Sequence, residues 1–169
     1  MKDSKNKLLE AIKGGLKGEM DSVTTYKDAA SKTDNEEVKQ FFSERIKEEK
    51  MHYNMLIDFY KAIESDSDIS ELGKEIKNMS PDKNKIFSDD FKRRIGENQA
   101  VFSAMSVAAL LEKESMDYYE KCAQETDEPT LKDFFQTMKI WEEVHYEDVL
   151  DIQKEAEKHY WRINNFEPF

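Results

Sequence analysis

The sequence holds one cysteine, three prolines and five glycines among its 169 residues. A single thiol excludes an intramolecular disulfide and any paired-cysteine redox motif within these residues. So few prolines and glycines cannot punctuate a turn-rich, all-strand fold. Positive charge is also scarce: 26 Lys and Arg against 37 Asp and Glu leave a formal net charge of −11. No block of Lys and Arg interleaved with aromatics offsets this, so a nucleic-acid partner is not expected. No run approaches the 18 or so apolar residues that a membrane span needs, and no membrane association is expected. Residues 1–15 carry basic side chains without the apolar core of a secretory signal, which makes the cytoplasm the expected location.

What is abundant is charge, at 37% of residues, beside only 38% hydrophobic content. Long helices with one buried stripe and wetted remaining faces give that balance. Apolar spacing predicts a helix over about 5–31, with Leu8, Leu9, Ile12, Leu16, Met20, Val23 and Tyr26 on one face. A polar loop with a cap at Asp34 or Asn35 leads to a second helix over about 35–64. Residues 65–96 are less regular, with a short helix at 68–78 and a Met-Ser-Pro break at 79–81. A third helix over about 97–125 ends at Thr126–Pro129, and a fourth follows over about 129–159, with the proline in its first turn. Residues 161–169 carry aromatic anchors without a clear element. Two short loops and one long connection describe an all-α, antiparallel four-helix bundle with a long crossover between helices 2 and 3, a single domain over 1–169.

A shift of 93 residues lays the first helix pair on the second, matching 15–60 with 108–153. Between positions 19 and 58, 13 of 40 residues are identical without a gap. Glu19 falls on Glu112, Ser22 on Ser115, Tyr26 on Tyr119, Phe41-Phe42 on Phe134-Phe135, Glu49 on Glu142 and His52 on His145. The loop and both Glu-x-x-His units keep one register, which helical composition alone does not supply. Each helix pair is therefore expected to contribute half of a central site.

Residues three apart on a helix share a face, so Glu49 with His52, and Glu142 with His145, can reach one object. The glutamates also interrupt apolar seven-residue rows: Ile12-Glu19-Tyr26, Phe42-Glu49-Leu56, Met105-Glu112-Tyr119 and Phe135-Glu142-Val149. Four carboxylates buried together are untenable unless something neutralises them. Two divalent cations balance their formal charge, and two imidazoles add a neutral ligand for each. This donor set suits iron or manganese, and less distinctively zinc. The competing reading, solvated ion pairs on abundant glutamate, does not explain why two of only three histidines occupy equivalent positions with a glutamate three residues before each. His159 lacks such a glutamate and reads as a surface residue.

In this ordered set, Glu19-x6-Tyr26, Glu49-x2-His52, Glu112-x6-Tyr119 and Glu142-x2-His145, the chain resembles the rubrerythrin-like branch of the ferritin-like diiron-carboxylate proteins, over nearly its whole length. The resemblance implies a ferritin-like bundle with two iron ions per chain, manganese or a mixed pair being compatible. It implies that Glu19 and His52 are terminal ligands of one ion, Glu112 and His145 of the other, with Glu49 and Glu142 bridging. Tyr26 and Tyr119 would hydrogen-bond ligand carboxylates; they read equally as wedge-shaped core aromatics. Two departures stand out. Cys122 is the only cysteine, so the four-cysteine iron site of a rubredoxin-like domain is missing here, and Cys122 reads as a small core residue. Ser115 stands where rubrerythrins carry an additional glutamate, and Glu114 points the wrong way to replace it.

The function expected is a non-haem diiron oxidoreductase, peroxidase-like or oxidase-like, reducing hydrogen peroxide or dioxygen with electrons from an external donor. A homodimer is compatible with the resemblance. The competing readings are ferrous-ion oxidation for iron handling and a non-enzymatic metal-binding bundle.

Overall fold

The computed structural model describes residues 2–81 and 85–165, apart from the side chains of Lys2 and Asp3. Six helices follow in order: α1 (Lys2–Ser31), α2 (Glu36–Glu64), α3 (Ser70–Lys77), α4 (Asp89–Glu97), α5 (Gln99–Glu125) and α6 (Pro129–Ile163). The four long ones are those expected from apolar spacing. Asn35 caps α2 by accepting from the Val38 amide, Glu128 caps α6, and Pro129 stands at its start, where the missing N–H costs nothing. α6 runs to Ile163, four residues beyond the expected end; the remaining tail from 166 lies outside the described residues.

The core divides into two apolar clusters. One joins Tyr26 and Ala29 of α1, Phe41 and Phe42 of α2, Met105 of α5 and Val149 of α6. The other joins Ile12, Leu56, Tyr119, Leu131 and Phe135 from the opposite halves of the same helices. The late part of α1 thus meets the early parts of α2 and α5 and the late part of α6. This arrangement makes each adjacent pair antiparallel, and the chain folds as a helical bundle.

The crossover is more ordered than its sequence suggests. The short helix expected at 68–78 is present as α3, but α4 was not anticipated. Its nine residues are too short for apolar periodicity to stand out, and its stability comes from ends and packing. Ser88 caps it through the Phe91 amide, and Phe91 and Ile95 enter the core. Asn98 ends α4, caps α5 through the Val101 amide and donates to the Lys32 carbonyl, so one residue fixes three segments. Gly96 lets α4 lie against α6: a Cβ there would come within 2.1 Å of the Ala156 carbonyl oxygen. Of the pair Ile86-Phe87, Phe87 packs on Phe41 and Phe91, while Ile86 is almost wholly exposed.

Candidate metal centre

Each of the four glutamates lies seven residues from an apolar or aromatic neighbour in one cluster and seven from another in the opposite cluster. Glu19 stands between Ile12 and Tyr26, Glu49 between Phe42 and Leu56, Glu112 between Met105 and Tyr119, Glu142 between Phe135 and Val149. Two heptad steps along each helix keep such residues on one inward face. Four helices therefore deliver a carboxylate to the same level, and His52 and His145, three residues on, join them there. All six side chains are at most 1% exposed.

The contacts within this layer are crossed between helices. His52 Nδ1 lies 3.0 Å from Glu142 Oε1, 3.3 Å from Glu19 Oε2 and 3.8 Å from Glu49 Oε2. His145 Nδ1 lies 2.8 Å from Glu49 Oε1, 3.8 Å from Glu112 Oε2 and 4.0 Å from Glu142 Oε2. Glu49 and Glu142 each turn one oxygen toward either histidine. Donor atoms gather accordingly into two groups able to hold an ion: Glu19, Glu49, His52 and Glu142, then Glu49, Glu112, Glu142 and His145. The two glutamates of the Glu-x-x-His units belong to both groups.

Tyr26 donates to Glu112 Oε1, and Tyr119 donates to Glu19 Oε1. Each hydroxyl crosses from α1 to α5 or back and ties up the outer oxygen, leaving Oε2 to face the centre. Burial beside these carboxylates pushes both phenol pKa values well above the usual range, so the hydroxyls stay protonated donors.

The layer is unsatisfied as it stands. Thirteen buried side-chain polar atoms lack a hydrogen-bond partner among the described residues, and ten belong to these six side chains; the others are Ser22 Oγ, Arg45 Nε and Trp141 Nε1. Native interiors rarely leave such atoms orphaned, and concentrating them at one level fits bound cations. The electrostatics agree. Burial, reinforced by Glu112, pushes Glu49 up to about 8, and burial with Glu19 and Glu49 pushes Glu142 well above the carboxylate range. Burial acts the same way on Glu112, but the His145 imidazole and the Tyr26 hydroxyl outweigh it and hold that carboxyl near 2. Without cations the layer holds protons instead.

The six residues expected to form the site are thus brought together, and each tyrosine hydroxyl donates to one of their carboxylates. Cys122 is buried in the second cluster. His159 lies away from the centre, half-buried, with Nδ1 3.0 Å from Arg162. What spacing did not reveal is a charged group beside His145. Arg45, 1% exposed, contacts Glu48 at 2.8 Å and pairs with Asp148; Glu48 also takes Lys85 at 3.0 Å and lies 3.3 Å from His145 Nε2. A signal existed: Arg45 sits in the inward row Phe42-Arg45-Glu49-His52-Leu56, where an unpaired cation could not remain.

Among the described residues, no helix is long and apolar enough to cross a membrane. No curated protein and no solved structure matches the chain significantly. The rubrerythrin family model matches residues 10–153, a stretch containing all six clustered side chains and both tyrosines. With that match over most of its length and a buried carboxylate–histidine layer in a helical bundle, the chain belongs to the rubrerythrin family.

Proposed function

We propose that the chain is a diiron-carboxylate oxidoreductase that reduces hydrogen peroxide or dioxygen with electrons from an external donor. The observation that carries this is the pair of overlapping donor groups sharing Glu49 and Glu142. In this reading Glu19 and His52 would hold one ion and Glu112 and His145 the other, with Glu49 and Glu142, which belong to both donor groups, available to either. Four carboxylates cancel the formal charge of two divalent cations, which suits iron or manganese. Two ferrous ions would supply the two electrons that reduction of one peroxide requires.

The protein's own share is placement and exclusion. Tyr26 and Tyr119 hold Glu112 and Glu19 at one oxygen, which limits how far those carboxylates can swing. The two apolar clusters close the layer above and below. A groove of about 210 Å³ between α1 and α5 is lined by Gly14, Gly15, Gly18, Ser115 and Tyr119, whose hydroxyl donates to Glu19, and in this reading it is the approach for a small oxidant. Ser115 opens onto this groove, where Asp21 and Glu114 supply the carboxylates, so proton delivery would differ from that of family members with a glutamate at this position. Cys122 is the only cysteine in the sequence, so restoring the electrons depends on a donor outside these residues.

The test is anaerobic stopped-flow mixing of ferrous-loaded protein with hydrogen peroxide and, separately, with dioxygen. Oxidation within seconds by peroxide, faster than by dioxygen, supports the peroxidase form of this reading. Faster reaction with dioxygen supports the oxidase form or ferrous-ion oxidation. Reaction with neither removes the oxidoreductase proposal.

A further inference from the structure

The two halves of the metal layer are alike in their clustered side chains and unlike immediately behind them. At His145, the ring nitrogen turned away from the layer faces a carboxylate: Nε2 is 3.3 Å from Glu48, in ion-pair contact though off the line of a hydrogen bond. Glu48 is itself held by Arg45 at 2.8 Å and by Lys85 of the crossover at 3.0 Å, and Arg45 also pairs with Asp148. At His52 the corresponding Nε2 is buried without a partner. The residues 93 positions from Arg45 and Glu48 are Met138 and Trp141, and 93 before Asp148 is Met55. Trp141 presents its ring edge-on to His52 at 5.2 Å, and its Nε1 is also unpartnered.

We infer that the two metal positions are inequivalent, the one at Glu112 and His145 filling first and releasing its ion last because Glu48 acts as a positioning residue for His145. This rests on the dimetal reading above. Arg45, Lys85, Glu48 and Asp148 sum to zero charge, so the group exerts little net field on the layer. The difference lies in contact. A carboxylate behind a ligand imidazole keeps the proton on the far nitrogen, leaves the near lone pair free, and increases its donor strength. No carboxylate among the described residues does this for His52, whose ring is held by packing edge-on to Trp141 and stacked on His145. Lys85 extends this device to the crossover, which carries a charged side chain to the back of the His145 position.

The experiment supplies one equivalent of ferrous ion per chain anaerobically, then two, and reads each position's occupancy by anomalous diffraction, with Mössbauer spectra of the same samples. At one equivalent, the His145 position should hold several times the iron of the His52 position. Glu48→Gln is isosteric, leaves the Arg45–Asp148 pair, and should weaken the His145 position by about 10- to 100-fold, levelling or reversing the order. Glu48→Asp should restore part of the preference, which a purely structural role would not do. Trp141→Phe should leave the order as in the parent protein. Equal filling of both positions in the parent, or an unchanged order in Glu48→Gln, overturns this inference while two ions at saturation keep the dimetal reading. Fewer than two ions at saturation overturns both.

Discussion

Tyr26 and Tyr119 engage glutamates on each other's helix, whereas Glu49 and Glu142 offer both oxygens to the centre. The two kinds of residue should therefore fail differently. Glu49→Ala and Glu142→Ala each remove a carboxylate shared by both donor groups, and after dialysis each variant should retain well under half of the parent's metal. Tyr26→Phe removes one hydrogen bond to a ligand oxygen and should retain most of it. Metal analysis of the three proteins treated identically checks the ranking, and equal retention would overturn it. The same carboxylates set an unusual pH dependence. In the metal-free protein Glu49 is raised to about 8, and Glu142 and His145 are raised as well. Above about pH 4.5 the unfolded chain releases protons that the folded one keeps, so stability falls as pH rises toward 8. Glu112, lowered to about 2, acts oppositely, but only between about pH 2 and 4.5. Metal-free protein should be most stable near pH 4.5–5. Loaded protein should instead gain stability with rising pH over the same range, because cations displace those protons. Thermal melts of both forms across pH 4–8 should give slopes of opposite sign.

Helix α4 and the groove between α1 and α5 show how elements depend on glycine in opposite ways. At a helical position Gly→Ala ordinarily stabilises by up to about 1 kcal/mol. At Gly96 the added Cβ meets the backbone of α6, 2.1 Å from the Ala156 oxygen, and one of the two helices must move. Gly96→Ala should therefore lower stability, by about 1–3 kcal/mol, and denaturant unfolding gives the sign directly. Gly18 is different, because its Cβ would sit 3.4 Å from Ser115 Oγ, an ordinary contact beside open space. Gly18→Val should leave metal content and melting temperature unchanged or raised while slowing oxidation by peroxide several-fold. An unchanged rate would show that the oxidant reaches the centre another way.

Taken whole, the molecule is a bundle whose central layer holds four acids that cannot all ionise unaided. Cations should therefore be a substantial part of its folding free energy. Exhaustive chelation at pH 7.5 should lower the melting temperature by several degrees or more, and ferrous or manganous ion should restore it. A melting temperature indifferent to metal would place the layer's charge balance on protons alone. Turnover is also a property of the whole. Without a cysteine-ligated iron within these residues, the diferrous protein should complete one round with peroxide and stop, resuming only when an external electron carrier is added. Sustained consumption of peroxide by the protein alone would contradict that.

The four long helices and the six clustered donors were legible because heptad spacing and helical periodicity are local properties of the chain. A glutamate seven residues from Ile12 and Tyr26 must share their face, and the 93-residue register carries that argument across both pairs. Helix α4 was not legible, since nine residues are stabilised chiefly by what they pack upon. Nor was the pairing of Tyr26 with Glu112 and Tyr119 with Glu19 assigned, because which helices become neighbours is decided only when the pairs come together. The charged group behind His145 needed tertiary structure most of all: Arg45 and Asp148 lie 103 positions apart, and Lys85 comes from the crossover. Sequence spacing alone therefore determined that this bundle gathers four acids and two histidines at one level. The packing of α2 against α6 under the crossover decided that the two halves differ, because a buried cation can be held only by partners that folding brings to it.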